Sequence, residues 1–250
     1  MNGDSKTEQS DQTQQASRAA AISEFRFREF DPNQPLFFSH IPKTAGTSVR
    51  NIFKQWYGEN LILHYFDETT GQQPKVDMAR LEGASEKNKV CVFGHFINNK
   101  STGFKDCYPE ASQFITVVRD PLELILSTFY YIKREGEKWL NKPKVYYQTL
   151  EEFLVSANTN INHFLKTQVD IDNFQQVFAD EFVYVGVQET LDQDIANMAK
   201  VLGFDPPSEL KKLNAVPRDS VEIPDRLRQK FRERHQLEYA IYDWLLEMRR

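Results

Sequence analysis

The 250-residue sequence contains only two cysteines, Cys91 and Cys107, which are too few to build a disulfide framework. No apolar run approaches the roughly 18 residues that a membrane-spanning helix needs. The amino terminus also lacks the basic segment followed by an apolar segment that marks a secretory signal. These absences predict a location in the reducing cytoplasm, with Cys91 acting as a small buried apolar side chain.

The sequence has no surplus of positive charge either. Its 31 Lys and Arg residues are outnumbered by 36 Asp and Glu residues, which gives a formal net charge of −5 at pH 7. Binding to nucleic acid or to an anionic membrane surface is therefore not expected. Any anionic ligand has to be met by a local cluster of cations. Clusters of His, Cys and Asp with the spacing of metal ligands are also missing, so we expect no metal.

Residues 1–24 have almost no large apolar side chains and are rich in Ser, Gln, Thr and Asp. Such a segment cannot bury enough apolar surface to offset the entropy lost on ordering, which predicts a disordered tail. The remaining residues, 25–250, are expected to form a single domain. The hydrophobic fraction of 40% and the 19 phenylalanines are sufficient for a sizeable core.

Short apolar runs alternate with helical patterns along the rest of the chain. Strands are predicted at 36–41, 61–66, 89–93, 114–119 and 181–187. One helix is predicted from about Thr47 to Trp56, and another begins at Pro121 with Asp120 as its cap. This alternation predicts an α/β fold of three layers, α/β/α, with a central and mostly parallel sheet of about five strands. Ligands of such sheets bind at the carboxyl ends of the strands.

The segment HIPKTAGTS, residues 40–48, connects the first predicted strand to the first predicted helix. The first amides of a helix are unpaired and carry partial positive charge, to which Lys43 adds a full charge. Gly46 allows the backbone to approach a ligand closely, so the loop is expected to bind a phosphate. Further hydroxyl donors are available from Thr44, Thr47 and Ser48. The loop is not a nucleoside triphosphatase P-loop, because Lys43 precedes the glycine instead of following it.

HIPKTAGTS resembles the 5′-phosphosulfate loop of sulfotransferases that use 3′-phosphoadenosine 5′-phosphosulfate (PAPS). A second segment, ITVVRDPLELILSTFYY, resembles the family's 3′-phosphate motif, a strand ending in Arg followed by a helix bearing Ser. Arg119 and Ser127 occupy those two positions. A guanidinium and a hydroxyl are a chemically suitable pair for a dianionic phosphate. On the helix, Ser127 shares a face with Glu123 and with Tyr130 or Tyr131.

The segment VCVFGHFINN places His95 just beyond a predicted strand. It resembles the segment that carries the catalytic base in the carbohydrate branch, which contains heparan sulfate 2-O-sulfotransferase and its bacterial relatives. An imidazole suits a base that works near neutral pH. A carboxylate base is the alternative, with Glu59, Asp67 and Glu68 in range. The other histidines are expected to be structural: His40, His64, His163 and His235. For His40 the alternative is that it orients the phosphate loop. For His163 the alternative comes from its segment, NINHFLKTQ, which loosely resembles a family segment that faces the acceptor.

The resemblance implies a P-loop-like fold and a sulfotransferase that moves a sulfuryl group in line from PAPS to an acceptor hydroxyl, releasing the bisphosphate PAP. Lys43 is expected to stabilise the leaving oxygen, and Arg119 with Ser127 to bind the 3′-phosphate. Arg218, in the segment LNAVPRDS, is a further candidate for that phosphate, with a solvated loop arginine as its alternative. The loop residues expected at the 5′-phosphate are Thr44, Ala45, Gly46, Thr47 and Ser48.

The resemblance leaves the acceptor open within one class, that of hydroxylated molecules. It favours a carbohydrate, and a non-carbohydrate small molecule is the alternative. Two other functions are alternatives to a sulfotransferase. A small-molecule kinase would need a Walker loop and a metal-holding carboxylate, and a lapsed enzyme that only binds nucleotide would need no base.

The sequence departs from the family at one position of the 3′-phosphate motif. The relatives' second arginine, early in the helix of that motif, is replaced here by Leu124.

Overall fold

The computed structural model describes residues 22–67, 70–72, 74, 76–98, 100–136, 149–208 and 222–249. These residues contain one five-stranded sheet. Its strands are β1 (Leu36–Ser39), β2 (Leu61–His64), β3 (Cys91–Gly94), β4 (Phe114–Val118) and β5 (Phe182–Val187). The strand order is β2-β3-β1-β4-β5, and every neighbouring pair is parallel. The predicted α/β fold with a five-stranded parallel sheet is confirmed.

Helices cover both faces of this sheet. The helices are α1 (Gly46–Tyr57), α2 (Met78–Glu82), α3 (Phe104–Cys107), α4 (Pro121–Gly136), α5 (Leu150–Ser156), α6 (Phe174–Glu181), α7 (Leu191–Leu202), α8 (Asp225–Arg234) and α9 (Gln236–Glu247). Single 3₁₀ turns lie at Gly58–Asn60, Ile161–His163 and Gln188–Thr190. None of the helices that the structure describes combines the length and the apolar composition that crossing a bilayer requires.

Alternation along the strands produces two separate apolar layers. In β1, Leu36 and Phe38 face one layer and Phe37 faces the other, as the period of two in a strand requires. The layer on the Phe38 side is completed by α1 and α7, and that on the Phe37 side mainly by α3, α6 and α9. Cys91 is a free and fully buried thiol in the first of these layers, as predicted.

The predicted strands start or end one or two residues away from the observed ones. The clearest case is β1, which ends at Ser39, because the loop begins at His40. At the chain's beginning, residues 22–24 form a helical turn and Ile22 packs against the core. Residues 1–21 lie outside the described residues, so the disordered tail stays a prediction.

The order of the strands brings three of the predicted segments to one edge of the sheet. Strand β1 lies between β3 and β4, with Ser39 paired to Gly94 on one side and to Thr116 on the other. Because all three strands are parallel, their carboxyl ends meet at the same edge. The loops that follow them begin at His40, His95 and Arg119, and these loops form the candidate site described next.

Candidate active site

The loop after β1 has an unusual backbone. Lys43 (φ 71°) and Ala45 (φ 60°) both adopt the left-handed conformation, although neither is glycine. Each such residue costs about 1–2 kcal/mol, and strain of this kind persists where the surrounding structure imposes it, often at ligand sites. Inside the loop, the buried hydroxyl of Thr44 donates to the carbonyl of Ile41 over 2.8 Å. The loop is therefore held in shape by its own side chains before any ligand is bound.

Two of the expected phosphate donors are used within the protein. The Thr44 hydroxyl donates its proton to the Ile41 carbonyl, which makes the Thr44 amide the more direct donor to an anion; the hydroxyl role expected of Thr44 stays a prediction. The Ser48 amide donates to the Ala45 carbonyl over 3.0 Å as part of the first turn of α1. Binding of an anion by the other amides of the loop stays a prediction.

Gly46 is needed for a reason that the sequence did not reveal. A Cβ atom at this position would lie 1.7 Å from Nε2 and 2.1 Å from Cε1 of His40. The His40 ring therefore fills the space next to the Gly46 backbone. Gly46 is the only glycine of the loop, and the close approach that it permits is to an imidazole of the same protein.

The rings of His40 and His95 are stacked, with centroids 4.4 Å apart and planes inclined by 22°. Nδ1 of His95 is 2.6 Å from the carbonyl oxygen of His40. A carbonyl only accepts hydrogen bonds, so Nδ1 carries the proton and Nε2 of the neutral ring keeps its lone pair. Nδ1 of His40 is hydrogen-bonded to the Tyr65 hydroxyl over 2.9 Å. The structure thus fixes both the tautomer and the orientation of His95.

Burial also keeps both imidazoles neutral near pH 7. Desolvation lowers the pKa of His95 below its ordinary value, although the hydrogen bond to the His40 carbonyl raises it in part. Desolvation lowers the pKa of His40 further, and the charges of His95, Arg50 and Lys43 act in the same direction. A neutral, half-buried His95 with a free lone pair on Nε2 has the state that a general base requires.

Arg119 follows β4 and lies directly against the β1 loop. Its Nη1 donates to the carbonyl oxygen of Lys43 over 3.2 Å, and its side chain is only 10% exposed. Two carboxylates flank the guanidinium, that of Glu123 at 3.3 Å and that of Glu189 at 3.9 Å. The two predicted nucleotide-binding segments therefore meet at this hydrogen bond, as a single ligand bound to both would require.

The ammonium of Lys43 is held by helix α4. Its Nζ lies 4.0 Å from the centre of the Tyr131 ring, a cation–π distance. Tyr131 follows Ser127 by four residues on α4, so the two side chains share a helix face. The sequence left open whether Tyr130 or Tyr131 shares the face of Ser127, and Tyr131 is the one that contacts Lys43.

The remaining candidates lie elsewhere or outside the described residues. His64 is fully buried and hydrogen-bonds to the Tyr108 hydroxyl and the Thr102 carbonyl, a structural role. Glu59 lies in the 3₁₀ turn after α1, and the Asp67 carboxylate accepts from the Thr70 amide. Glu68 and Arg218 lie outside the described residues.

His163 lies next to the loop that carries His95. The Asn98 amide donates to the His163 carbonyl over 3.0 Å, and the Asn98 side-chain amide donates to the carbonyls of Asn162 and Leu165. Asn98 therefore holds the segment 162–165 beside the base candidate. In the parts of the chain that the structure describes, no group of His, Cys, Asp and Glu side chains could hold a metal ion.

The sequence from residue 29 to residue 244 matches the sulfotransferase family. The chain belongs to this family. No curated protein matches the sequence. Two solved structures that resemble this sulfotransferase are mouse sulfotransferase SULT7A1 complexed with PAP and a sulfotransferase from Alicyclobacillus acidocaldarius. The mouse protein is 11% identical with a TM-score of 0.40, and the match covers 86% of this chain and 67% of that one. The bacterial protein is 15% identical with a TM-score of 0.44, covering 88% and 97%.

Membership of the family confirms part of the functional prediction. This sulfotransferase is an enzyme of class EC 2.8.2, and its family uses PAPS as the sulfuryl donor. The acceptor and the assignment to the carbohydrate branch stay predictions, as do the roles of the individual site residues. Three residues at the site, Tyr65, Tyr131 and Glu189, had no assigned role in the sequence analysis.

Proposed function

We propose that this sulfotransferase transfers the sulfuryl group of PAPS to a carbohydrate hydroxyl, with His95 as the general base and Lys43 neutralising the leaving oxygen. The observation that carries this proposal is the 2.6 Å contact between His95 Nδ1 and the His40 carbonyl, which leaves Nε2 as an acceptor. The donor supplies a sulfuryl group that is already activated by its link to the 5′-phosphate.

The charges at the strand ends suit a donor with phosphates at two positions. Lys43 and the amides of residues 44–47 form a cationic surface at the start of α1, where the helix dipole adds partial positive charge. Arg119 and Ser127 present a guanidinium and a hydroxyl on the neighbouring β4–α4 unit. We assign the 5′-phosphosulfate to the first group and the 3′-phosphate to the second, with Arg218 as an additional ligand of the 3′-phosphate.

Binding of the 3′-phosphate requires Arg119 to exchange partners. Glu123 is its closer carboxylate, and the side chain of Glu123 is 46% exposed, so it can turn into water at little cost. Glu189 is less exposed, and its carboxylate also accepts from the Asp120 amide over 3.3 Å. We therefore expect Glu189 to keep its place beside Arg119 while Glu123 gives way to the phosphate.

The chemistry follows from the protonation states of two side chains. His95 takes the proton of the acceptor hydroxyl on Nε2 as that oxygen bonds to sulfur. Lys43 stabilises the negative charge that remains on the bridging oxygen when its bond to sulfur breaks. A preorganised cation and a correctly oriented base of this kind each act where charge or a proton moves in the transition state.

The segment 162–165, held beside the base by Asn98, is proposed as part of the acceptor side of the site. Its position supports this assignment, because an acceptor hydroxyl has to reach His95 from a surface next to the β3 loop. The resemblance of GHFINN to the carbohydrate branch supports a sugar as the acceptor. A non-carbohydrate alcohol is the alternative, and a screen of acceptors distinguishes the two.

The test is a donor-coupled screen in which PAPS and hydroxylated acceptors are incubated with the protein, and the mass gain of one sulfate is measured. Sugars and oligosaccharides form one arm, and phenols and simple alcohols form the other. Sulfation in the sugar arm supports the proposal, and sulfation confined to the other arm contradicts the carbohydrate assignment. Transfer of phosphate from ATP, with none of sulfate from PAPS, would contradict the reaction itself.

Variants then test the residues. His95→Ala and His95→Gln should lower turnover by about 10²–10⁴-fold while PAP affinity stays close to that of the parent. Arg119→Ala should instead weaken PAP binding. Glu59→Gln and Asp67→Asn serve as controls for a carboxylate base and should retain turnover. If His95→Ala keeps full activity, the base is assigned wrongly.

A further inference from the structure

The contact between Lys43 and Tyr131 has no place in the mechanism above, and it carries a further assignment. We propose that Tyr131 is a positioning residue whose ring holds the Lys43 ammonium where the bridging oxygen of the donor is bound. This inference rests on the proposed role of Lys43 in stabilising the leaving oxygen. It adds a residue from a different element, α4, to the transfer site.

The distance and the geometry support a specific contact. The Lys43 ammonium lies 4.0 Å from the centre of the Tyr131 ring, well inside the roughly 6 Å over which a cation–π interaction acts. Arg134 also approaches this ring, but its guanidinium carbon is 5.8 Å from the centre. Lys43 is therefore the closer cation. One ring face covers only one side of an ammonium, so N–H donors remain for an anionic oxygen.

Lys43 needs such a partner because its side chain is long and flexible. Four methylene groups give lysine high rotamer entropy, which is lost when the ammonium is fixed at a reacting oxygen. The backbone of Lys43 is already fixed, since its φ is 71° and its carbonyl accepts from Arg119 over 3.2 Å. The ring of Tyr131 fixes the other end of the same residue. Lys43 is thus held at both ends by the β4–α4 unit.

Helix α4 is well placed to provide this contact. Ser127, the proposed ligand of the 3′-phosphate, lies one helical turn before Tyr131 on the same face. The helix starts directly after Arg119 and Asp120, and the Asp120 carboxylate caps it by accepting from the Glu123 amide over 2.8 Å. The same rigid helix that binds one end of the donor therefore positions the lysine at the other end.

The ring and not the hydroxyl is the active part in this proposal, which makes conservative variants informative. Tyr131→Phe keeps an aromatic face, so its kcat should fall by about twofold at most. Tyr131→Leu keeps an apolar side chain but removes the π-system and should lower kcat by about two- to thirty-fold. In both variants the KM for PAPS and the Kd for PAP should change less than twofold, on the order of experimental error. Tyr130→Leu, on the neighbouring face of α4, is the matched control and should leave kcat unchanged.

A second measurement separates this proposal from the proposed function. In NMR spectra, lysine residues labelled with ¹³C at Cε give one signal each, and the Lys43 signal is the one that is missing in Lys43→Arg. The ring current of Tyr131 should shift this signal. This shift should persist in Tyr131→Phe and disappear in Tyr131→Leu. The readout needs no donor and no turnover, so it tests the contact even if the assigned reaction is wrong.

Several results would overturn the assignment. An unchanged Lys43 signal in Tyr131→Leu means that the contact does not form in solution. An unchanged kcat in that variant, with the signal moved, means that the contact does not serve transfer. Equal losses in Tyr131→Phe and Tyr131→Leu would assign the effect to the hydroxyl, and a raised KM alone would assign the ring to donor binding. Full turnover in Lys43→Ala would refute the role of Lys43 itself, and the ring-current result would be unaffected.

Discussion

Replacing Gly46 by alanine tests how the β1 loop and the proposed base, His95, are linked. Gly46 is the first residue of α1, where alanine is intrinsically better than glycine by about 0.5–1 kcal/mol. If helix propensity decided the outcome, Gly46→Ala would therefore stabilise the protein. The new Cβ, however, would lie only 1.7–2.3 Å from three atoms of the His40 ring. Ordinary carbon contacts are about 3.5–4.0 Å, so the ring has to move by about 1.5–2 Å.

That movement cannot be absorbed freely. The His40 ring is stacked on His95 and hydrogen-bonded to Tyr65 over 2.9 Å. Overpacking of one methyl group costs about 1–3 kcal/mol, and loss of the hydrogen bond costs about 0.5–1.5 kcal/mol. After the gain in helix propensity is subtracted, we expect Gly46→Ala to lower the free energy of unfolding by about 0.5–4 kcal/mol. Steric repulsion should therefore outweigh propensity.

Urea titration followed by circular dichroism measures this change. Gly83→Ala is the matched control, because a Cβ there meets backbone oxygens only at 3.5 Å and the stability should change by less than about 0.5 kcal/mol. In a His40→Ala background the clash is absent, so Gly46→Ala should become neutral or stabilising. A Gly46→Ala protein as stable as the parent, or equally destabilised with and without His40, would refute the reasoning.

Three further predictions concern charge. Glu123→Gln should tighten PAP binding by about two- to five-fold in calorimetry, because a half-exposed carboxylate no longer competes for Arg119; weaker binding would contradict this. Burial lowers the pKa of His95, so the acid limb of kcat/KM, which falls as His95 is protonated, should have its midpoint below pH 6.5. Burial lowers the pKa of His235 to about 4, so between pH 6.5 and 4 the unfolded chain binds a proton that the folded protein does not. The parent should therefore lose more stability than His235→Asn on acidification through that window, by an amount on the order of 1–3 kcal/mol, and parallel curves would contradict the assignment.

The parts of the fold that follow from local patterns could be predicted from the sequence. Each strand of the sheet is a short apolar run bounded by polar or breaking residues, and the start of α4 is marked by Asp120 and Pro121. Parallel pairing follows from the alternation of strands and helices. Local signals of this kind also placed Lys43, His95 and Arg119 at strand ends, since a polar residue after a buried strand is visible in the sequence alone.

Contacts between distant segments could not be predicted in this way. His40 was expected to be structural, yet its carbonyl sets the tautomer of His95, a residue 55 positions later. Asp194 is another example, because a carboxylate in an amphipathic helix normally points to solvent. Here it is 1% exposed and paired with Arg249, and it also accepts from the Val187 amide. Both cases depend on which strands and helices are neighbours, and periodicity within one segment holds no information on that.

The order of the strands explains why one loop contacts both halves of the site. Because β1 lies between β3 and β4, the loop that follows it touches His95 through His40 and touches Arg119 through the carbonyl of Lys43. A loop at the edge of the sheet could reach only one neighbouring strand end. The central position of β1 therefore allows nine residues to contact the proposed base, His95, on one side and the proposed donor-binding cation, Arg119, on the other. The left-handed backbone of Lys43 and Ala45 costs free energy, and the contacts of the loop with His95 and with Arg119 offset this cost.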